Sequence, residues 1–382
     1  MSHFLSFLCI QFFFRLATCS DFSYLRNPSN EIIENQNISS RLVFTPEKDF
    51  FITIRQCLFM SISCDIFDNG GAISINNPYT SFSVSQTSFS ECKCYQKQGG
   101  AIFLKTKNAT FDSCCALHCF SQYGLFLQGI VSEYFSFHMS TITQCDSGES
   151  LFTCAALNIA GGTQYVSMIN SSANNLNVFT AAGISLMPKF LNMKFSTFSN
   201  NIGESILSLN YMVSETHDSR LIDSINIVNN TLRTNSPFPQ AVAVFFIDQC
   251  KLSNAIFQQN SANYTNNFYV LYESLNVKTV IENSVFDYFQ SRFPMNLINC
   301  TFNKTVPTHQ IEFLNTEMCY GYVLPPNSNT TKEIMIICCS VFGGILLILV
   351  VTTLVIKFRK KPDENVHPMV STAHLLSEND SK

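Results

Sequence analysis

The sequence predicts an all-β ectodomain folded as a parallel β-solenoid, followed by one transmembrane helix and a disordered tail. Twice, a pair of glycines stands directly before an apolar run rich in β-forming residues, at Gly70 and Gly71 and again at Gly99 and Gly100. Paired glycines permit φ > 0 and so let a chain turn a sharp corner and start a strand at once. The two copies lie about 29 residues apart, a period typical of stacked repeats.

The composition favours strands and excludes nucleic-acid binding. Apolar residues make up 46% of the chain and charged residues only 13%, whereas about 25% is usual for charged residues. The polar surface must therefore come mainly from Ser, Thr and Asn, which suits stacked strands better than helices. A net charge of −4 with 23 basic residues offers no electrostatic footprint for nucleic acid.

The N-terminal segment, residues 1–20, is predicted to be a secretory signal peptide. Phe4 to Phe14 is an almost unbroken apolar run, and Ala17-Thr18-Cys19 gives small residues at both positions that a signal peptidase inspects. The alternative is a buried N-terminal helix. Residues 21–49 are polar, lack a clear period, and are expected to form a lead-in or cap.

Residues 50–320 carry the pattern expected of the solenoid ectodomain. Phe50 to Ile54 is a β-forming run, and the run from Ser81 to Phe89 begins with strict alternation of serine and apolar residues. Later strands such as Ser196 to Phe198 end in Asn200-Asn201. Asparagine tolerates αL and hydrogen-bonds its own backbone at turns, so stacked asparagines are expected to form ladders along the solenoid.

These repeats resemble two known motifs. Gly70-Gly71-Ala72-Ile73 and Phe198-Ser199-Asn200-Asn201 are similar to the GGAI and FxxN motifs of chlamydial polymorphic outer-membrane proteins and of the related surface families of trichomonad protists. The predicted signal peptide, single span and short tail resemble the protist version. The resemblance implies a right-handed parallel β-helix with a role in host-cell adhesion or antigenic variation. Several coils depart from it by carrying Cys for Asn, as in Phe89-Ser90-Glu91-Cys92.

A transmembrane helix is predicted over residues 334–356. This segment of about 23 uncharged residues is long enough to cross a hydrocarbon core of about 30 Å. A stalk, residues 321–333, precedes it, and Lys357, Arg359 and Lys360 follow it closely. This asymmetry predicts a type I protein of the plasma membrane with its N-terminus outside. Residues 357–382 have no core-forming period and are expected to be a disordered cytoplasmic tail.

The sixteen cysteines suggest an oxidising compartment. Twelve lie outside the predicted signal and span, and disulfides between neighbouring coils are their default interpretation. Cys92 and Cys94 are too close in sequence to bond to each other easily. The alternative is a stack of free thiols inside the solenoid. Neither a metal nor a cofactor is expected.

Eight Asn-Xaa-Ser/Thr sequons lie on the predicted exported side and are candidate glycosylation sites. The stalk sequon is expected to be the most accessible, whereas the one at Asn299 lies in a strand-like run that would occlude it. The eight are Asn37, Asn108, Asn170, Asn229, Asn263, Asn299, Asn303 and Asn329.

The expected function is non-enzymatic, namely adhesion, ligand binding or antigenic display at the cell surface. Its partners would be the membrane and a host-cell protein or glycan. The alternative is a membrane-anchored, polysaccharide-cleaving β-helix enzyme, which would need clustered carboxylates. Asp65, Asp68 and Glu91 are the acidic residues nearest the first Gly-Gly corner, and such residues are more often ordinary turn chemistry.

Overall fold

A computed structural model describes residues 30–45, 49–147, 155–176, 181–210, 220–233, 240–245, 249–262, 268–273, 278–291 and 294–311. The predicted signal peptide, stalk, transmembrane helix and tail lie outside these residues. Within the described ranges the chain forms strands and turns without a helix, and accordingly no helix there is long and apolar enough to cross a membrane.

Each coil of the chain contributes strands to three faces, which we name A, B and C in chain order. Face A contains β1 (Asn30–Glu34), β4 (Phe50–Arg55), β7 (Thr80–Ser85), the second halves of β10 (Ile102–Asp112) and β13 (Leu127–His138), β16 (Thr163–Ser167), the first halves of β19 (Phe190–Ser199) and β22 (Arg220–Val228), β25 (Gln249–Ser253), β29 (Lys278–Glu282) and β31 (Asn296–Ile298).

Face B is built from shorter strands. It contains β2 (Asn37–Ile38), β5 (Leu58–Met60), β8 (Ser88–Ser90), β11 (Cys115–Leu117), β14 (Thr141–Thr143), β17 (Asn170–Ser172), the ends of β19 and β22, β26 (Ile256–Gln258), β30 (Val285–Phe286) and β32 (Thr301–Phe302).

Face C closes the coil. It contains β3 (Leu42–Phe44), β6 (Ile73–Asn76), the first halves of β10 and β13, β15 (Leu157–Ala160), β18 (Ala181–Met187), β21 (Ser205–Leu209), β24 (Gln240–Phe245) and β28 (Phe268–Glu273). Between faces B and C lie β9 (Lys93–Gln98), β12 (Phe120–Tyr123), β20 (Ile202–Gly203), β23 (Thr231–Leu232) and β27 (Ser261–Ala262).

All of these strand pairings are parallel, which confirms the predicted β-solenoid. On face A, Phe51 pairs with Ser81, Ser81 with Asn108 and Asn108 with Tyr134, so successive coils are offset by 30, 27 and 26 residues. The stack begins earlier than the expected boundary at residue 50, because β1 already pairs with β4. The alternation of β1 is hard to see in the sequence, because β1 is a short, charged strand in which Ile33 is the buried residue.

The corners on either side of face B are turned by residues in the left-handed region. All non-glycine residues with positive φ in the described chain fall into two columns, one between faces A and B and one after face B. The predicted strand at 81–89 is accordingly interrupted at Gln86, whose φ is 48°. The first column is Asn35, Gln56, Gln86, Ser113, Met139, Met168, Phe195, Ser224, Asn254, Asn283 and Asn299, and the second is Ser61, Glu91, His118, Gln144, Ala173, Asn200, Asn229, Gln259 and Asn303.

The two Gly-Gly pairs lie at the corner that leads into face C. The first glycine of each pair has positive φ, 77° at Gly70 and 74° at Gly99. The second glycine allows adjacent coils to approach, because a Cβ on Gly71 would lie 2.0 Å from the carbonyl oxygen of Gly100. Gly100 occupies the same position in the next coil, and a Cβ on it would lie 2.0 Å from the carbonyl oxygen of Leu125.

Like side chains stack on like inside the solenoid. Phe59 and Phe89 are parallel with ring centroids 4.8 Å apart, and Phe257 stacks on Phe286 at 5.0 Å. All four rings are buried. Because each coil places its inward positions directly over those of its neighbour, one apolar core runs along the stack.

Asparagines following the second corner column form the expected hydrogen-bonded ladder. Asn174 Nδ2 donates to Asn201 Oδ1 at 3.1 Å, Asn201 Nδ2 to Asn230 Oδ1 at 3.1 Å, and Asn230 Nδ2 to Asn260 Oδ1 at 2.9 Å. The backbone N–H of Asn174 also donates to Asn201 Oδ1, at 3.0 Å. Each amide therefore satisfies buried backbone groups as well as its neighbour.

Cysteines continue this column toward the N-terminus. Cys92, Cys119 and Cys145 occupy the position that asparagine takes in later coils, and all three are fully buried. The Cys119 thiol donates to the carbonyl oxygen of Phe89 at 3.7 Å, just as the Asn230 amide donates to Phe198 O at 3.0 Å. Burial and the hydrogen bond with Cys119 raise the pKa of Cys145, which favours its protonated form.

Most of the described cysteines do not form the expected disulfides. Nine are free thiols, and Cys115 is disulfide-bonded. The alternative, a stack of buried thiols, describes Cys92, Cys119 and Cys145. Within the ranges that the structure describes, no group of three or more His, Cys, Asp or Glu side chains is arranged to hold a metal ion.

We expect Asn201→Ala to destabilise the fold by about 2 kcal/mol, because it leaves buried backbone and amide groups without partners. Urea unfolding of the purified protein followed by circular dichroism measures this change. Asn76→Ala is the matched control, since Asn76 is exposed at the end of β6, and its effect should stay below about 0.5 kcal/mol. Equal effects of the two variants would contradict a stabilising ladder.

Gly71→Ala should destabilise the protein by about 3 kcal/mol or more, because the new methyl group meets a backbone oxygen that cannot move alone. Gly129→Ala is the control: its Cβ would meet the flexible Ile159 Cδ1 at 2.9 Å. The same unfolding measurement should show a clearly smaller loss for Gly129→Ala, and the reverse order would show that coil spacing does not depend on Gly71.

Candidate functional site

The outward side of face A presents alternate side chains of its stacked strands to solvent. In the second half of β13, Phe135 and Phe137 point into the core, whereas Tyr134 and Ser136 point outward. Strand alternation therefore separates residues that hold the coil together from residues available to a ligand. Many outward positions along face A carry Ser, Thr or Asn, and others carry charged or apolar residues such as Arg55 and Phe51.

Three aromatic side chains on successive coils of face A form what we call the aromatic ladder: Tyr134, Tyr165 and Phe190. The Tyr134 and Tyr165 rings have centroids 5.5 Å apart, and the Tyr165 and Phe190 rings 6.0 Å apart. Tyr134 and Tyr165 are each 39% exposed. The ladder spans three successive coils, a distance of about 10 Å at the usual strand spacing.

Hydroxyl and amide groups surround the aromatic ladder. Ser136 and Asn192 flank Tyr165 in the register of the neighbouring coils. The His138 Nδ1 atom lies 2.8 Å from Ser167 Oγ, which fixes both side chains at the edge of the surface. Tyrosine offers an apolar ring face together with a hydroxyl, a combination enriched at binding interfaces. This arrangement suits an uncharged, polar ligand.

Charged side chains lie near the ladder. Lys107 and Glu133 form an ion pair of 3.6 Å beside the ladder, and both side chains are largely exposed. A surface pair of this kind contributes little binding energy of its own. Lys189 directly precedes Phe190 and Lys194 follows it in β19, so the charges near the ladder are not confined to this pair.

A second surface feature is a cavity of about 470 Å³ near the end of the described chain. Residues 304–311 fold back here onto face B. Asn226 Nδ2 donates to His309 O at 2.9 Å, and His309 N donates to Asn226 Oδ1 at 3.0 Å. Because four of its seven lining residues belong to the returning segment 308–311, we consider this cavity a packing feature.

The sequons differ in their accessibility. Asn37, Asn229, Asn299 and Asn303 are exposed, Asn108 is half-buried, and Asn170 is 6% exposed. Asn299 is therefore not occluded: it occupies a left-handed corner with φ 51° that turns it outward. Asn263 and Asn329 lie outside the described residues.

The acidic residues considered for catalysis have structural partners. Asp68 forms a 2.7 Å ion pair with Arg41 in the loop that precedes β6. Glu91 occupies a left-handed corner and accepts a 2.8 Å hydrogen bond from Ser61 Oγ. The Asp65 carbonyl oxygen accepts a turn hydrogen bond from Asp68 N at 3.1 Å.

Sequence analysis missed the aromatic ladder. Tyr134 pairs with Thr163, and Tyr165 stands two residues further along its strand, so the two tyrosines are not at equivalent repeat positions. They meet diagonally across adjacent strands. The signal was present as outward aromatics in alternating strands, but finding the pair requires the strand register.

Comparisons with known proteins identify no family. No family model matches the chain, and no curated protein matches it. Among solved structures it is similar to the Streptococcus pneumoniae surface protein and adhesin PfbA, with 9% identity, coverage of 72% of this chain and 89% of that chain, and a TM-score of 0.19. A likeness this low carries no argument. The strand register alone defines the chain as a parallel β-solenoid.

We expect Tyr165→Ser to reduce the free energy of unfolding by less than about 1 kcal/mol, the usual range for a half-exposed cross-strand pair. Phe137→Ala, which removes a fully buried ring from the inward side of the same face, should cost about 3–5 kcal/mol. Urea unfolding distinguishes them. A large loss for Tyr165→Ser would mean that the ladder serves folding rather than binding.

Proposed function

We propose that the chain is a non-enzymatic cell-surface protein whose solenoid serves adhesion or ligand display. The observation that carries this proposal is the solvent-facing aromatic ladder, which Ser136, Thr163 and Asn192 flank on the neighbouring strands. A solenoid holds such a surface rigidly, because each coil is hydrogen-bonded to its neighbours on three faces. Binding to a preformed surface avoids much of the ordering cost of association.

We also propose that the chain belongs to the GGAI/FxxN class of trichomonad-like surface proteins and shares the right-handed coil of that class. The support is the motif pattern of the sequence and the asparagine column built by its FxxN repeats. The type I arrangement at the plasma membrane rests on the apolar segment 334–356 and the basic residues after it. Exposed sequons at Asn229 and Asn303 suit glycosylation on the exported side.

The ligand of the aromatic ladder would be a host-cell protein or a glycan. Sugars present hydroxyl groups together with apolar C–H faces, and both find partners among the tyrosine rings and the hydroxyl and amide groups around them. A partner protein would use the same rings as apolar anchors.

Topology is tested by labelling intact cells with an antibody to the ectodomain before and after external protease. We expect the label to be lost on protease treatment, leaving a small protected fragment that contains the tail. Binding is then measured on host cells and on glycan arrays for the wild type and for Tyr134→Ser/Tyr165→Ser. The double variant should lose roughly tenfold or more in affinity.

Tyr79→Ser is the matched control, because Tyr79 is 60% exposed and lies away from the ladder. It should bind like the wild type. A protected ectodomain would refute the surface location, and undiminished binding by the double variant would refute the role of the ladder.

A further inference from the structure

Cys64 and Cys94 lie side by side on adjacent coils. Ser63 and Lys93 form a parallel bridge, and Cys64 N donates to Lys93 O at 3.0 Å. Neighbouring parallel strands are about 4.8 Å apart, within the Cα separation that disulfides span. The two sulfur atoms are 2.6 Å from each other. Both side chains are therefore aimed at one another.

The surroundings of this pair are rigid. Both sulfur atoms lie within hydrogen-bond distance of the carbonyl oxygen of Asp68, Cys64 at 3.3 Å and Cys94 at 3.2 Å. Arg41 holds the same loop through a 2.7 Å ion pair with the Asp68 carboxylate and a 2.8 Å hydrogen bond to Gly70 O. The loop cannot easily move in a way that would separate the sulfur atoms.

The two thiols differ in reactivity. The hydrogen bond from Cys94 lowers the pKa of Cys64, and the Arg41 guanidinium acts in the same direction. The pKa of Cys94 is raised by its hydrogen bond to Cys64 and by burial. Cys64 is 8% exposed and Cys94 is fully buried, so a reagent in solution meets Cys64 first.

We propose that Cys64 and Cys94 form an intercoil disulfide, independently of the function proposed above. The oxidant is a small disulfide such as oxidised glutathione. The Cys64 thiolate attacks one sulfur of this disulfide, forming a mixed disulfide and releasing one thiol. Cys94, on losing its proton, attacks Cys64 Sγ and releases the second thiol, so two cysteine thiols are oxidised and one disulfide is reduced.

The bond would fix the base of a loop that carries two exposed apolar side chains. Ile66 is 49% exposed and Phe67 is 82% exposed. A closed Cys64–Cys94 link would hold this loop at a set position on the solenoid. Because Cys94 lies in β9 of the next coil, the link would also join two coils covalently.

The fully buried thiols provide an internal contrast. The Cys92 thiol donates to backbone carbonyl oxygens of Ser90 and Phe59, at 3.6 and 3.9 Å. Its hydrogen bond with Cys119 and its burial raise the pKa of Cys92. It is therefore the appropriate unreactive neighbour, two residues from Cys94.

The test uses the full chain, purified with a reductant, freed of it, and exposed to oxidised glutathione. The protein is then denatured, its free thiols are alkylated, and it is digested with trypsin and an Asp-specific protease. Trypsin cleaves after Arg55, Lys93 and Lys97, and the second enzyme cleaves before Asp65. We expect the peptide 56–64 to be linked to the peptide 94–97, with a loss of alkylation at Cys64 and Cys94 and retained alkylation at Cys92.

Cys57→Ser should retain the link and Cys64→Ser should abolish it, because both cysteines lie in the peptide 56–64. Wild-type mapping decides the question even if a variant fails to fold. Continued alkylation of both cysteines in the folded wild type after oxidation, or a link from Cys94 to Cys57 or Cys92, would overturn the proposal.

Discussion

The in-register parallel stacking of coils is the constraint on which the rest of this structure depends. Every inward position lies over the corresponding position of the next coil, so its side chain packs mainly against the side chains at that position in the neighbouring coils. Phe59 over Phe89 and Asn201 over Asn230 follow this rule, one by ring stacking and the other by hydrogen bonding. Because the rule applies at corners as well as in strands, backbone conformation repeats too, and left-handed residues accumulate in two columns.

The corner columns explain why short polar side chains are buried. A chain that turns from face A to face B and again after it leaves backbone groups that strands cannot pair, and buried groups of this kind need partners. Asparagine supplies both a donor and an acceptor, whereas cysteine supplies mainly a donor. Cys119 nevertheless reaches the Phe89 carbonyl oxygen much as Asn230 reaches that of Phe198. Substitution of Cys for Asn therefore preserves the donor of the ladder and gives up its acceptor.

Features that repeat the same residue type could be predicted from the sequence, whereas features that repeat only a backbone conformation mostly could not. The strand at Phe50, the Gly-Gly corners and the asparagine ladder each have a chemical signature. The corner at Gln86 has none, because its left-handed φ is imposed by the coils on either side. Tyr134 and Tyr165 contact each other diagonally across adjacent strands, and Cys64 contacts Cys94, 30 residues further along the chain. Both contacts depend on a register that sequence spacing alone leaves open.

Because inward and outward side chains alternate along each strand, the residues that stabilise the fold differ from those available to a ligand. Phe135 and Phe137 are buried and packed against their neighbours, so changes there alter the whole stack. Tyr134 lies between the ion-paired Glu133 and the buried Phe135, yet its ring faces solvent. Outward positions can therefore change their chemistry while the coil remains intact. A solenoid built in this way can carry different binding surfaces on one scaffold, which is the physical property that adhesion and antigenic display both require.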